Sequence, residues 1–557
     1  MRLKPLIFAI ALALAALSPL VGEAQRGPAA GQVPRLIVFV VVDQMRADYV
    51  DRFKDQWSSG LKRLLSQGAW FSNAAYPYLT TVTCPGHATI ATGAFPYRHG
   101  IISNSWFDRD ERRSVTCTED PTTRVIAYGN GGGPGDSARR LRLPTFADEM
   151  RARRNSKVVT LALKPRSAIM TAGHGGDAVT WISEVLEEGW ETSTAYGTAV
   201  PAVQRFVTTN PIERDYGRVW DRLLPIGKYE HADNLEGEAP PRGWTALFPH
   251  PLSGSDTKPD GVFRAQWDRS PYADAYLGRF AADLVETMGL GRGETSDVLG
   301  VSFSSPDLVG HAFGPRSQEV QDMYLHLDAT IGTLLERLDA LVGPDRYLLA
   351  LSADHGVSDV PEQARRNGKD GGRLNARALA DAIEVRAAAF AGPGRYLSAI
   401  SGNDIYFERG MYQKLTATAG AIESIVSELS AQPGMARVFR SETLPGALAS
   451  RDALQRAAAL SYVSGVSGDL VLALKPGWMF SGSGTTHGSA APDDQRVPII
   501  LFGPGIKPGQ YREAVTPADI APTLAAMTGI ALPNAEGRVL RAALTAPPPA
   551  AGSTRQP

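Results

Sequence analysis

Short unbroken apolar runs, rather than alternating ones, dominate the hydrophobic pattern of this chain. Leu36 to Val42 is rich in β-branched residues and holds no polar position. Such a run predicts a strand buried on both faces, as in a parallel sheet. Val158 to Leu163, Asp297 to Phe303, Tyr347 to Leu351 and Val497 to Phe502 read the same way. From Ser317 to Val342 the pattern changes. Apolar residues fall at Val320, Met323, Leu327, Ile331, Leu334, Leu338 and Leu341, spacings of three to four that predict a long amphipathic helix. Gly343-Pro344 ends it. A shorter helix is predicted around Leu61 to Leu65, stopped by Gly68, and Ala88 to Thr92 reads as a helix start. Strands alternating with helices at this rhythm imply right-handed crossovers. The expected fold class is therefore α/β: a doubly wound, mostly parallel sheet with helices on both faces, plus cap insertions. Ligands in such sheets gather beyond the carboxyl ends of the strands.

The 557 residues, 43% hydrophobic and 21% charged, have an ordinary globular composition. Length alone allows several domains. The order of the motifs argues for one catalytic domain over residues 35–546, with insertions at about 105–145, 180–295 and 358–485. The last two read as a cap beside the site. Tyr128 to Gly135 is glycine-rich, but it lacks the Lys-Ser/Thr of a phosphate loop and no predicted strand leads into it, so it reads as a surface loop. Residues 547–557, with Pro-Pro-Pro and Gly-Ser, read as a disordered tail.

The first residues look like a targeting segment. Arg2 and Lys4 precede an apolar run from Leu6 to Leu20, and Val21-Gly22-Glu23-Ala24 offers small residues for cleavage. Residues 1–24 are expected to be a signal peptide and 25–34 a linker, which makes the protein periplasmic or secreted; an uncleaved anchor is the alternative. No second apolar stretch is long enough to span a bilayer, so no membrane span is expected in the mature chain. A net charge of -1 gives no basic field for a nucleic-acid partner or an anionic membrane. Oligomeric state is not legible. The two cysteines, Cys84 and Cys117, read as a disulfide in an oxidising compartment, with two buried thiols or a reactive Cys84 as alternatives.

Seven residues carry the candidate chemistry: Asp43, Thr83, Asp307, His311, Asp354, His355 and His487. Most stand at or just beyond a predicted strand end; Thr83 lies in a Pro-Gly-bounded turn and His487 in the glycine-bounded loop Gly484-Thr-Thr-His-Gly488. Three carboxylates and three imidazoles suit zinc, which takes nitrogen and carboxylate oxygen; calcium or magnesium would take oxygens. A threonine hydroxyl becomes a nucleophile when metal coordination lowers its pKa. Taken singly, each Asp or His is as readily a turn residue, and Thr80, Thr81 and Thr83 could simply cap a helix. His174, His231, His250 and His326 are assigned no ligand role.

The ordered set Val-Val-Asp43-Gln-Met-Arg, Thr83-Cys-Pro-Gly-His, Asp307-x-x-x-His311, Asp354-His355-Gly and Thr-His487-Gly resembles the alkaline phosphatase superfamily over roughly residues 36 to 542. Thr516-Pro-Ala-Asp-Ile-Ala-Pro-Thr-Leu resembles that superfamily's closing helix. The resemblance implies two zinc ions, one held by Asp307, His311 and His487, the other by Asp43, Asp354 and His355 with the Thr83 oxygen, and a covalent phosphothreonine at Thr83. The Cys-x-Pro-x-Arg or Ser-x-Pro-x-Arg motif of sulfatases is missing, because Pro85 follows Cys84 directly. Asn104 resembles an asparagine that donates to a phosphoryl oxygen in both the phosphatase and the nucleotide pyrophosphatase/phosphodiesterase branches. Lys164-Pro-Arg166 resembles the Lys-x-Arg pair of threonine-type bacterial alkaline phosphatases, where lysine as a point charge and arginine as a fork would clamp a monoester dianion. A solvated strand end is the alternative for that pair. The implied activity is hydrolysis of small-molecule phosphate monoesters. A phosphodiesterase is the first rival, a Cys84 thiol hydrolase and a non-catalytic binding protein the others. Acidic stretches such as Asp108-Arg-Asp110-Glu111 and Asp493-Asp494 offer oxygens for additional calcium, at positions the sequence does not fix.

Overall fold

The β-branched runs become the middle of one eleven-stranded sheet. The computed structural model describes residues 33–255 and 257–545; the expected signal peptide, most of the linker and the tail lie outside them. The strands are β1 (Leu36–Val42), β2 (Ala69–Ala75), β3 (Glu119–Ala127), β4 (Pro134–Asp136), β5 (Val158–Ala162), β6 (Ala178–Ile182), β7 (Trp190–Ser193), β8 (Asp297–Phe303), β9 (Tyr347–Ser352), β10 (Arg496–Phe502) and β11 (Gly509–Tyr511). Their spatial order is β11-β2-β10-β9-β1-β8-β5-β6-β7-β3-β4. The centre, β9-β1-β8-β5-β6, is parallel throughout. Only β10, β7 and β4 run against the rest.

The helices that clothe the sheet are α1 (Gly60–Gln67), α2 (Thr83–Thr92), α3 (Phe146–Arg154), α4 (Pro165–Ala172), α5 (Pro271–Thr287), α6 (Ser305–Phe313), α7 (Gln318–Leu341) and α8 (Ile520–Thr528). Every residue of β1 is buried, and its side chains alternate between two cores. Leu36, Val38, Val40 and Val42 meet apolar residues of α1, α5 and α7. Ile37, Phe39 and Val41 meet those of α2, α3, α4 and α8. Each such side chain contributes about 1.5–3 kcal/mol when fully buried, so the carboxyl end of β1 is a rigid anchor for whatever follows it. The predicted long helix is α7, started by Ser317, whose hydroxyl accepts from Val320 N–H at 3.1 Å.

The three expected insertions take different forms. The segment around 105–145 is only partly an insertion: after a hairpin (Ser105–Asp108 with Arg113–Thr116) it supplies β3 and β4, which extend the main sheet. A strand therefore does lead into the glycine-rich turn at 128–135. The polar, proline-containing sequence of β3 hides it, as suits a strand near a sheet edge. The stretch 180–295 is not a free-standing cap, since it contains β7 and α5, and Trp220, Trp244 and Trp267 are buried in the same core as α7. Residues 358–485 do hold a separate layer. Leu397–Ser401, Asp404–Phe407, Leu470–Leu474 and Met435–Arg440 form an antiparallel sheet in that order, packed with helices Ala376–Ala391 and Ala421–Ser430 around its own apolar cluster.

Candidate active site

The seven sequence-picked residues converge beyond the carboxyl ends of β1, β8 and β9. Asp43 directly follows β1, Asp307 lies in the first turn of α6 after β8, and Asp354-His355 follow β9. Asp307 and His311 stand one turn apart on α6, with His311 Nε2 3.2 Å from Asp307 Oδ1. His487 arrives on a loop that Arg373 holds through the carbonyls of Ser481 and Gly484. Gly484 presses on α6 so closely that a Cβ there would lie 2.1 Å from the His311 carbonyl oxygen, which explains the glycine. His487 Nε2 ends 3.5 Å from Asp307 Oδ1.

Helix α2 begins at Thr83 itself, earlier than the Ala88 expected, and Val82 is its N-cap with no side-chain cap bond. The threonines are thus not caps: Thr81 donates to the Ser489 carbonyl, and Thr83 Oγ1 faces His355 Nε2 at 3.4 Å. Thr83 sits where a helix N-terminus presents N–H groups and positive dipole. Gly86, one turn in, is packed on the neighbouring strand end, and a Cβ there would lie 2.1 Å from the Asp354 carbonyl oxygen.

The imidazoles share one arrangement. His311, His355 and His487 each direct Nδ1 at a backbone carbonyl, those of Thr485, Gly356 and Thr81, at 2.8–2.9 Å. Donation there fixes the tautomer and leaves a lone pair on Nε2 when the ring is neutral. Those Nε2 atoms point at carboxylate oxygens: His355 Nε2 lies 3.4 Å from Asp43 Oδ1 and 3.5 Å from Asp354 Oδ2. Asp43 Oδ1 is buried and without a hydrogen-bond partner, and buried Asp354 Oδ2 has, beyond His355, only His87 Nδ1 near it, at 3.3 Å. Lone pairs facing lone pairs in a buried site call for a cation. The ligand atoms of Asp43, Asp354 and His355 lie within 4.8 Å of one another, as do those of Asp307, His355 and His487. Among the described residues these are the clusters that could hold metal. The grouping departs from the expected division in that His355 stands between the two, stacked on His487 at 3.5 Å.

Lys164, after β5, turns inward and donates to Asp43 Oδ2 at 2.6 Å and Asp307 Oδ2 at 2.5 Å. Its charge is buried, so it pairs with the nearest carboxylates. Burial, with Asp307 and Asp354 close by, pushes the Asp43 carboxyl well above its usual range. Burial also acts on Asp307, but His311 and Lys164 hold its carboxyl well below the usual range. Burial pushes His355 down to about 3.

Asn104 and Arg166 stand beside the cluster, in a cleft of about 290 Å³. Asn104 Oδ1 accepts from Cys84 N–H at 2.8 Å, which leaves its Nδ2 donor for a ligand. Cys84 is disulfide-bonded to Cys117, whose N–H donates to the Asn104 carbonyl at 2.9 Å. Arg166 is paired with Glu184 at 2.5 Å, an acidic neighbour the sequence did not single out.

Two residues that sequence reasoning passed over belong to the centre. Gln44 takes a left-handed backbone (φ 68°), donates its N–H to Asp354 Oδ1 at 3.2 Å and its Nε2 to Asp307 Oδ1 at 2.6 Å. His87, fully buried, reaches the Thr83 carbonyl at 3.0 Å and Asp354 Oδ2 at 3.3 Å. Gln44 directly follows Asp43 and His87 lies four residues after Thr83, and neither carries a motif of its own. Within the acidic stretches, Asp110 pairs with Arg409 and Asp493 with Arg46, while Asp494 accepts from the Ser358 and Ser489 hydroxyls.

A parallel sheet with a buried nitrogen-and-carboxylate cluster at its switch point, and a threonine at a helix start, defines a class of phosphoryl-transfer enzymes. The family profile described as type I phosphodiesterase / nucleotide pyrophosphatase matches residues 37–493. The chain belongs to this family and is an enzyme of the alkaline phosphatase superfamily. Alkaline phosphatase PhoV of Synechococcus elongatus is 32% identical over 91% of this chain and 92% of its own. Alkaline phosphatase PafA of Elizabethkingia meningoseptica is 30% identical over 90% of this chain and 92% of its own. The crystal structure of wild-type PafA superposes with a TM-score of 0.82, at 28% identity, over 93% of this chain and 100% of that one. Human ectonucleotide pyrophosphatase/phosphodiesterase family member 7 matches only 13% of this chain and 16% of its own length, at 35% identity.

Proposed function

We propose that the protein is an exported, zinc-dependent alkaline phosphatase that hydrolyses phosphate monoesters through a phosphothreonine at Thr83. The observation that carries this is the set of three imidazoles whose Nε2 lone pairs face buried carboxylates beside the Thr83 hydroxyl. Three nitrogens and three carboxylates are a zinc-type donor set. Asp43, Asp354 and His355 with Thr83 Oγ1 would hold one ion, and Asp307, His311 and His487 the other. When bound, such a pair supplies a lowered hydroxyl pKa and charge neutralisation on both sides of an in-line displacement.

The chain's own groups do the rest. Thr83 Oγ1 gives up its proton and attacks phosphorus, its bond to phosphorus forms as the ester P–O bond breaks, and the alcohol leaves carrying one proton in place of the one Thr83 lost. Water then attacks the phosphothreonine, releasing phosphate and restoring Thr83. The start of α2 and the Asn104 amide bind the non-bridging oxygens. Lys164 and Arg166 add positive charge suited to a monoester dianion.

Full-length similarity to proteins named alkaline phosphatases, against a short match to the diesterase-named relative, favours the monoester reading. The phosphodiesterase reading draws support from the family's name and from the placement of Lys164 and Arg166, each engaged with carboxylates. The disulfide is in keeping with an oxidising compartment, hence a periplasmic or secreted protein. Among the described residues no helix is long and apolar enough to cross a membrane. The test is metal analysis with activity. About two zinc ions per chain, loss of turnover on chelation and recovery with zinc are expected, and Thr83→Ala should fall by at least about a thousandfold while Cys84→Ser, which only opens the disulfide, falls by no more than about tenfold. Full activity in Thr83→Ala would sink the nucleophile assignment.

A further inference from the structure

The three imidazoles form a row. His355 stacks on His487 at 3.5 Å between ring centres, and His487 lies 5.0 Å from His311. Thr83 stands at the His355 end. At the other end His311 lines a separate cleft of about 360 Å³. In-line displacement places the leaving oxygen opposite the nucleophile, and Thr83 and this cleft stand at opposite ends of the row. His311 is also the most exposed of the three rings, with 34% of its side chain open to solvent.

The cleft has an apolar side, from Ala239, Pro241 and Leu308, and a polar side where Ser483 and Thr486 offer hydroxyls; among the described residues no carboxylate lines it. Its one formally charged side chain is Arg269, at the end of the helix Gly261–Asp268. Arg269 donates Nη1 to the Ala265 carbonyl at 3.1 Å, and its side chain is half-buried. It has no ion-pair partner among the described residues, because the adjacent Asp268 is taken by Arg264 at 2.9 Å. A guanidinium with donors to spare, at the edge of a cleft that no carboxylate lines, is a site for an anionic group.

Resting on the monoesterase reading above, we infer that this cleft receives the leaving group and that Arg269 selects esters of small hydroxylated alcohols carrying a second negative charge. Phosphorylated hydroxy acids are the simplest members of that class.

The experiment compares kcat/KM for 3-phosphoglycerate and glycerol 1-phosphate, which differ in a carboxylate against a hydroxymethyl group. It uses the zinc-loaded full chain and Arg269→Ala, Arg269→Glu and Arg269→Lys. The ratio of the two values should fall about tenfold in Arg269→Ala, the scale of one charge-assisted contact. It should fall further in Arg269→Glu, be largely kept in Arg269→Lys, and shrink in wild type as salt is added. A ratio unchanged across the variants, or equal losses on both substrates, overturns the role of Arg269. Wild type that cleaves bis-p-nitrophenyl phosphate but neither monoester overturns the monoesterase reading, and this inference with it.

Discussion

Removing the Lys164 ammonium should destabilise the metal-free protein far more than the metal-loaded one. Lys164 joins Asp43 and Asp307 through bonds of 2.6 and 2.5 Å, and its side chain is only 7% exposed. Asp354 adds a third buried carboxylate to the same cluster. Taking one partner out of a buried pair costs about 3–5 kcal/mol, because the charge left behind is uncompensated. One kcal/mol moves the Tm of a 150–250-residue domain by about 2–4 °C and a longer chain by less, so a drop on the order of 5 °C is expected. Lys164→Met keeps the length of the stem and removes the charge. The assay is thermal unfolding of chelator-treated wild type and Lys164→Met, before and after adding zinc. Zinc competes for the same carboxylates, and a ligand at about a thousand times its Kd adds about 4 kcal/mol, so the variant should regain most of its deficit on loading. Equal melting of the two chelated proteins would refute the idea that this ammonium holds the cluster together.

If the disulfide acts by fixing Asn104, Cys117→Ser and Asn104→Ala should each lower kcat/KM for a monoester by about tenfold, and the double variant should lose no more than either alone; additive losses would separate them. Burial raises the Asp404 carboxyl to about 6, while its Oδ1 accepts from Gly468 N–H at 2.6 Å. An acid whose folded pKa is raised favours folding below the unfolded value of 3.8 and loses that contribution as pH climbs to about 6. Asp404→Asn should therefore be more stable than wild type at pH 8, by up to about 3 kcal/mol, with the gap closing below pH 4; denaturant midpoints across that range check it.

The sequence disclosed what depends on local pattern. Apolar runs marked β1, β5, β8, β9 and β10, and the residues just past three of them, Asp43, Asp307 and Asp354, meet in the fold because parallel strands end on one side. Thr83 was legible as a lone hydroxyl in a Pro-Gly turn, but not as the first residue of α2, since Pro85 masks the start. Contacts between distant segments could not be read. Nothing near Arg166 announces Glu184, and nothing near His355 says it stacks on His487 and lies between both ligand groups. Gln44 has no motif beyond its neighbour, and its left-handed backbone is a tertiary effect. β3 is hidden because a strand next to the sheet edge tolerates polar residues and proline, and the antiparallel layer within 358–485 because its strands are short and widely spaced along the chain apart from one hairpin.

The central claim is that this site hydrolyses monoesters in preference to diesters. The most direct measurement is kcat/KM of the zinc-loaded wild type for p-nitrophenyl phosphate against bis-p-nitrophenyl phosphate, repeated with Lys164→Ala and Arg166→Ala. The account predicts a strong wild-type preference for the monoester, reduced in both variants because the monoester loses more. A wild type that favours the diester by orders of magnitude would contradict it.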